Sequence, residues 1–325
     1  MSSYHHLTYD QRCQIYTLKN RGDSCASISR ALHVDPSTIC RELRRNRGLK
    51  GYRYEQAHEK AASRKNTKPN KKLTDALEAT IIEKLGKQWS PVQISGWLKR
   101  HSKKYVSFKT IYNYIRKNNL NGGLLYKELR HKGKKYHKQK NNTSGRGCIP
   151  GRIDISMRPA IVEEKSRLGD WELDTIIGAE HKGVIVTMVE RVSKLTKLAK
   201  VPYKTASEVG KALIEKLNPI KKFVYTLTAD NGKEFAYHQL VSLNLEADFY
   251  FATPYHSWER GLNEHTNGLI RQYFPKSQNL REVTDADILR VEALLNNRPR
   301  KILDFETPLE AFERLSTGML NLGTH

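Results

Sequence analysis

The chain has 325 residues and a net charge of +23, from 57 Lys and Arg against 34 Asp and Glu. All of the excess lies in front: residues 1–150 hold 33 basic and 10 acidic side chains, and residues 151–325 hold 24 of each. Such one-sided charge suits nucleic acid or an anionic membrane surface, but the longest apolar stretch, Gly183 to Val189, falls far short of the roughly 20 residues that a span needs. No signal peptide opens the sequence, and Cys13, Cys25, Cys40 and Cys148 form no C-x-x-C pair, so the expectation is a reduced, cytoplasmic protein.

Residues 1–64 read as a first DNA-binding domain of three short helices. Ile28, Leu32, Val34, Ile39 and Leu43 recur at helical spacing around a break at "HVD", where Asp35 suits a cap and Pro36 the first helical position. The helix that follows carries Ser37, Thr38 and Arg41 near its start and Arg44, Arg45 and Arg47 near its end. This is the layout of a recognition helix, or equally of a plain three-helix bundle with a solvated basic face. The polar run Ser63 to Lys72 reads as a linker. Residues 73–120 offer a second helix-turn-helix, with Ser90 and Pro91 starting one helix and Ser107 capping another, which presents Lys109 and Thr110. Trp97, Tyr112 and Tyr114 serve either a core or base stacking. Residues 121–152 form a basic linker, within which Lys127 to Arg146, including His131 and His137, resembles an arm that orders on a phosphate backbone.

Residues 153–325 change character. "DWELDTIIG" alternates as a strand, with Trp171, Leu173 and Thr175 on one face and Glu172, Asp174 and Ile176 on the other. "VIVTMVER" and "TKLAKVPY" add two antiparallel neighbours, and then helix, strand, helix, strand and helix follow. The order predicts an α/β domain with a mixed sheet flanked by helices.

Three carboxylates stand out. Asp174 lies in the first of these strands, Asp230 follows the strand "VYTLT" at the turn "ADNG", and Glu264 sits in the helix "ERGLNEHTNGLIRQYF". Converging carboxylates repel unless cations lie between them, and a pair of divalent ions suits phosphoryl transfer. Each acid also has an ordinary explanation: Asp174 as a solvent-facing strand residue, Asp230 as a turn former with Asn231 and Gly232, and Glu264 as a partner of Arg260. The apolar stripe Leu262, Leu269, Ile270 and Tyr273 leaves Arg260, Glu264, Asn267 and Arg271 on the opposite face.

The ordered set "WELDTI", "LTADNGKEF", "TPYHSWERGLNEHTNGLIRQYFPK" and "NNRPRKILDFETPLEAF" resembles the catalytic core of bacterial insertion-sequence transposases of the IS-thirty type, relatives of retroviral integrases. "HLTYDQRCQIYTLK" and "DPSTICRELRRN" resemble their N-terminal DNA-binding region, so the resemblance runs from about Leu7 to Phe312. It implies a ribonuclease-H-like fold and a metal-holding catalytic triad of Asp174, Asp230 and Glu264. It also implies Mg²⁺, with Mn²⁺ as a substitute and two ions per site, cutting element ends and joining them to target DNA. Double-stranded DNA, at least a homodimer to hold two ends, and a bacterial nucleoid-associated location follow from the same resemblance. Glu172, Asn231, Gly232, Asn263 and Asn267 are expected to support the triad, and Arg271, Arg298 and Arg300 to contact DNA, with Lys301 in the same basic cluster. Leu173 and Glu259 depart from the usual Gly and Gln of the family. A DNA-binding regulator with an inactive core, and a nuclease that cuts without joining, are the rival readings.

Overall fold

Thr8 opens the first helix, α1 (Tyr9–Asn20), with a reciprocal cap: its hydroxyl accepts from Gln11 N at 3.2 Å while the Gln11 side chain accepts from Thr8 N at 3.0 Å. Such caps satisfy backbone donors that a helix start leaves unpaired. The computed structural model describes residues 6–66, 73–130, 149–253 and 261–322, and its contacts divide the chain into Met1–Thr74 and Asp75–His325.

In the first unit α2 (Cys25–Leu32) ends at His33, whose left-handed backbone (φ 50°) turns the chain sharply. Asp35 then accepts from Ser37 N at 2.8 Å and Pro36 fills the first position of α3 (Pro36–Asn46), as the sequence predicts. Ile15, Ile28 and Ile39, all fully buried, hold the three helices together with Leu7. Beneath them Arg12 and Glu42 form a buried ion pair at 2.8 Å, to which Tyr52 Oη donates at 3.2 Å. A fourth helix, α4 (Tyr54–Asn66), packs Tyr54 edge-on against Tyr9, with ring centroids 5.6 Å apart. It runs through Ser63 to Asn66, so the expected linker begins later than predicted, and residues 67–72 lie outside the described residues.

The second unit begins with α5 (Asp75–Gly86), α6 (Pro91–His101) and α7 (Phe108–Leu120). Ser90 builds a capping box with Gln93, and Ser107 accepts from Thr110 N at 3.3 Å. Ile81, Leu85, Ile94, Ile111 and Ile115 form the buried side of these helices. Trp97 is a packing residue, stacked on His101 at 4.8 Å with Lys84 Nζ 4.8 Å from its ring, whereas Tyr112 is exposed. The expected basic arm falls almost wholly in 131–148, outside the described residues.

After the short α8 (Ala160–Glu164) comes a five-stranded sheet of order β3-β2-β1-β4-β5. β1 (Asp170–Ile177), β2 (Val184–Glu190) and β3 (Thr196–Val201) are antiparallel, and β4 (Thr226–Ala229) and β5 (Asp248–Phe251) run parallel to β1. The parallel connections are made through α9 (Ala206–Leu217) and α10 (His238–Leu245), as parallel neighbours require a crossover. A three-strand meander followed by two crossover strands is the mixed, helix-flanked sheet that the sequence predicts, and it matches the ribonuclease-H-like fold that the resemblance implies.

The alternation of β1 sorts the two faces as expected. Trp171 and Leu173 join the core beneath α9 and α10, which α13 (Pro308–Leu322) seals with Phe312. Trp171 Nε1 donates to Phe223 O at 2.9 Å, so this large side chain is buried with its one donor satisfied. Ile176 joins the opposite core with Leu269 and Ile270 of α11 (Gly261–Ile270) and Ile288, Val291 and Leu295 of α12 (Asp285–Asn296). That second face, under α11, carries Glu172 and Asp174.

Candidate active site

Parallel pairing of β1 and β4 aligns Asp170 with Thr226 and Glu172 with Thr228. The ladder ends there; Asp174 lies two residues further along β1, and Asp230 is the first residue after β4. Both are partly buried, at the point where the two strands diverge. Gly232 N donates to Asp230 Oδ1 at 2.9 Å, which fixes the carboxylate within its own turn. Asn231 is buried and donates to Ala252 O at 2.7 Å, tying that turn to the end of β5, and its Oδ1 accepts from Arg152.

Two asparagines fasten α11 to the middle of β1. Asn263 is buried and donates to Leu173 O at 3.1 Å; Asn267 donates to Asp174 Oδ2 at 2.8 Å and accepts a longer bond from Thr187 Oγ1 at 3.4 Å. Asp174 Oδ1 accepts from Thr175 N at 2.9 Å. Glu264 lies exposed in the first turn of α11, one position beyond Asn263. The helix stripe is broader than predicted: Asn263 and Thr266 are buried alongside Leu269 and Ile270, while Leu262 is only partly covered. Arg260, the alternative partner for Glu264, and the Glu259 departure lie outside the described residues. Leu173 points into the opposite core, so the departure there bears on packing beneath the site.

The donors are hard carboxylate oxygens of the kind that Mg²⁺ and Mn²⁺ prefer. Each carboxylate oxygen offers more than one acceptor position, so the bonds from Asn267, Thr175 and Gly232 leave Asp174 and Asp230 able to ligate. Among the described residues no three His, Cys, Asp or Glu side chains are grouped closely enough to hold a metal ion.

Glu172, two residues before Asp174, is buried and accepts from Arg191 Nη1 at 2.9 Å. Arg191 also donates to Glu163 Oε2 at 3.1 Å, and Glu163 accepts from Arg158 as well. Arg152, Thr187 and Arg191 were not identified in the sequence; only the β1–β2 hairpin register, which sets Thr187 opposite Asp174, could have disclosed one of them.

Two of the expected DNA contacts are corrected. Arg298 and Arg300 are 3% and 8% exposed, not surface cations. Arg298 donates to Gln93 Oε1 at 2.9 Å and to Gln272 Oε1 at 2.8 Å, and Arg300 donates to Leu295 O at 3.1 Å. Burial pushes their pKa values down to about 10 and about 9. Arg271 is half-buried and donates to Ile177 O at 2.8 Å, bracing the end of β1. Lys301 alone of that cluster is exposed. In the first unit Ser37, Arg41, Arg44 and Arg45 are exposed along α3 and Thr38 partly so, with Arg41 donating to Ser37 Oγ at 2.9 Å. On α7 Lys109 is exposed and Thr110 partly covered.

Residues 3–46 match the sequence family described as a helix-turn-helix domain. Over 313 residues the chain is 45% identical to the transposase for insertion sequence element IS4351 of Bacteroides fragilis, covering 95% of this chain and 96% of that one. It is 37% identical over 322 residues to transposase InsI for insertion sequence element IS30A of Escherichia coli (strain K12), with 95% and 84% covered. Among solved structures, the catalytic core domain of BIV integrase aligns with 46% of this chain and 97% of its own, at 21% identity and a TM-score of 0.36. No described helix is long and apolar enough to cross a membrane.

Proposed function

Because the chain belongs to the IS-thirty family of insertion-sequence transposases, we propose that Asp174, Asp230 and Glu264 cut the ends of its element and join them to target DNA. The support for this is the end of the β1–β4 ladder at Glu172 and Thr228, two residues short of Asp174 and Asp230, together with the bond from Asn267 of α11, the helix of Glu264, to Asp174.

Divalent metal held by these three carboxylates would supply positive charge for the attacking and leaving oxygens of phosphoryl transfer. Asn267 and the backbone N–H of Thr175 hold Asp174 in one orientation, and the turn Asp230 to Gly232 does the same for its own carboxylate. Holding reacting groups in place is the larger part of what a protein contributes to phosphoryl transfer. Asn263 anchors the first turn of α11, so Glu264 rides on a helix whose position β1 fixes. Unit 1 reads the terminal inverted repeats through α3, with Ser37, Thr38 and Arg41 toward base edges and Arg44 and Arg45 on phosphates. α7, through Lys109 and Thr110, serves as a second reader. Two ends must be handled together, so the working assembly holds at least two copies.

The test is cleavage and joining of a labelled DNA end from the gene's flanks with Mg²⁺, using the unaltered chain and Glu264→Gln. Binding by both with joined products from the unaltered chain alone is the expected result. Binding by both with cutting by neither would replace this reading with that of a DNA-binding regulator.

A further inference from the structure

By their contacts α5, α6 and α7 belong to the same unit as the sheet, and α6 grips the loop that follows α12. Gln93 is bonded to that loop twice: its Nε2 donates to Pro299 O at 2.8 Å, and its Oε1 accepts from Arg298 Nε at 2.9 Å. Two turns on, Arg100 donates to Asp304 O at 3.3 Å and to Glu306 Oε1 at 2.8 Å. Between them Gly96 lets the Phe305 ring lie against the helix backbone, where a Cβ would stand 2.3 Å from the ring. The spacing i, i+3 and i+7 puts all three residues on one face of α6.

Local preference opposes this contact. Glycine is a poor residue for a helix interior, and Asp304 and Phe305 both hold left-handed backbones (φ 48° and 64°), which residues with a Cβ avoid. Such strain persists where the surroundings over-determine it. Here Arg300 N donates to Glu306 O and Phe305 N to Arg300 O, both at 2.9 Å, closing the loop on itself as a stiff mount. The far side of the mount reaches the helices around the proposed site. Arg298 donates to Gln272 Oε1 at 2.8 Å, just past the end of α11, the helix of Glu264. Glu306 accepts from Arg314 of α13 at 2.8 Å. Meanwhile α7 buries Ile111 and Ile115 and leaves Lys109, Tyr112, Asn113, Arg116 and Lys117 exposed on its opposite face. With no acidic residue in α7, that face joins cations to an aromatic ring and an amide, the chemistry that grips phosphates and reads base edges.

We propose that α7 binds duplex DNA through this face, and that the clamp of α6 on the loop fixes which stretch of the strand is brought to Asp174. The docked helix pair thereby sets the position of the cut. The proposal rests on the reading of Asp174, Asp230 and Glu264 as the catalytic acids. Gly96, Arg100 and Phe305 act as positioning residues, through the placement of the DNA and not on the reacting atoms.

The full chain is compared with Gly96→Leu and with the double variant Phe305→Ala and Arg100→Ala on a labelled duplex from the gene's flanks. Leucine favours the helix while its bulk forces the ring away, and the double variant removes contacts without adding bulk, so thermal midpoints separate misfolding from undocking. With Mg²⁺ the unaltered chain should cut at one position. In both variants the cuts should spread to neighbouring positions, with a loss at the original one of up to about a hundredfold, the scale of a misplaced reacting group. Hydroxyl-radical footprints without metal read the placement apart from the chemistry: the protection that Arg116→Gln removes marks α7, and it should be sharp in the unaltered chain and blurred in both clamp variants. Cutting that stays at one position in either folded variant overturns the proposal, whatever the footprint. So does an Arg116→Gln footprint identical to that of the unaltered chain, which makes α7 a solvated face. If no protein cuts, blurred protection upholds the clamp and sinks only the catalytic reading, whereas sharp protection sinks both.

Discussion

Asn267 touches Asp174 without being a ligand, and its amide sets which way that carboxylate faces. Partners of this kind around metal sites are worth about ten- to a hundredfold in affinity or activity. Asn267→Ala should therefore lower cleavage by that order and raise the Mg²⁺ needed for half-maximal rate, with DNA affinity unchanged. Unaltered metal dependence would leave Asn267 as a packing residue. Lys194 gives a second expectation, in pH. Its folded pKa lies at about 8 against an ordinary 10.5, so between those values the unfolded chain holds more protons than the folded one. Stability of the DNA-free protein then rises with pH across that window, and the penalty is complete below pH 8. Urea unfolding at pH 7.5 and pH 10 should show this rise, and Lys194→Met should flatten it. An equal slope in the variant would show that other groups set the dependence.

Among the elements, α1 and α3 depend on the buried pair Arg12 and Glu42. Arg12→Met strands the Glu42 carboxylate and should cost about 3 to 5 kcal/mol. Full-chain unfolding should then show an early transition and weakened end binding, while the sheet melts as before; a single unshifted transition would contradict this. Capping residues were the most legible signals: Asp35 with Pro36, Ser90 with Pro91, and Ser107 each begin a helix where the sequence places one. α4 escaped because it offers no apolar stripe, with Ala57 its only buried hydrophobic residue. α5 did carry a signal, Leu77, Ile81 and Leu85 at four-residue spacing. β4 starts at Thr226, later than its apolar run, because Phe223 still belongs to the 3-10 segment Asn218–Phe223 that precedes it. Arg298 was misplaced for a different reason. Its charge is visible in the sequence, but its acceptor Gln93 lies 205 positions away, and nothing local encodes that meeting.

At the scale of the molecule, charge and chemistry are divided. The excess of 23 positive charges belongs to residues 1–150, whereas the three proposed catalytic acids all lie in the neutral remainder. The aspartates were legible as residues, yet what brings their two strands together is a parallel pairing across 56 positions that turn chemistry does not specify. The pairing emerges only once the two crossovers and both cores are built.

The position of Phe312 gives this division a genetic meaning. It meets Phe223 edge-on at 5.6 Å and closes the core beneath β1 from the last described helix. A reading frame interrupted before α13 would still encode the whole of unit 1 but not a sealed sheet. Its product should occupy element ends without cutting them, acting as a dominant inhibitor of the intact copy. Co-expressing a version with a stop codon at Glu306 should depress mobility of the element in proportion to dose, an effect that Arg41→Ala in the shortened chain should abolish. Mobility unchanged by the shortened chain would count against this. A decaying copy of the gene would then restrain its working relatives before it disappears.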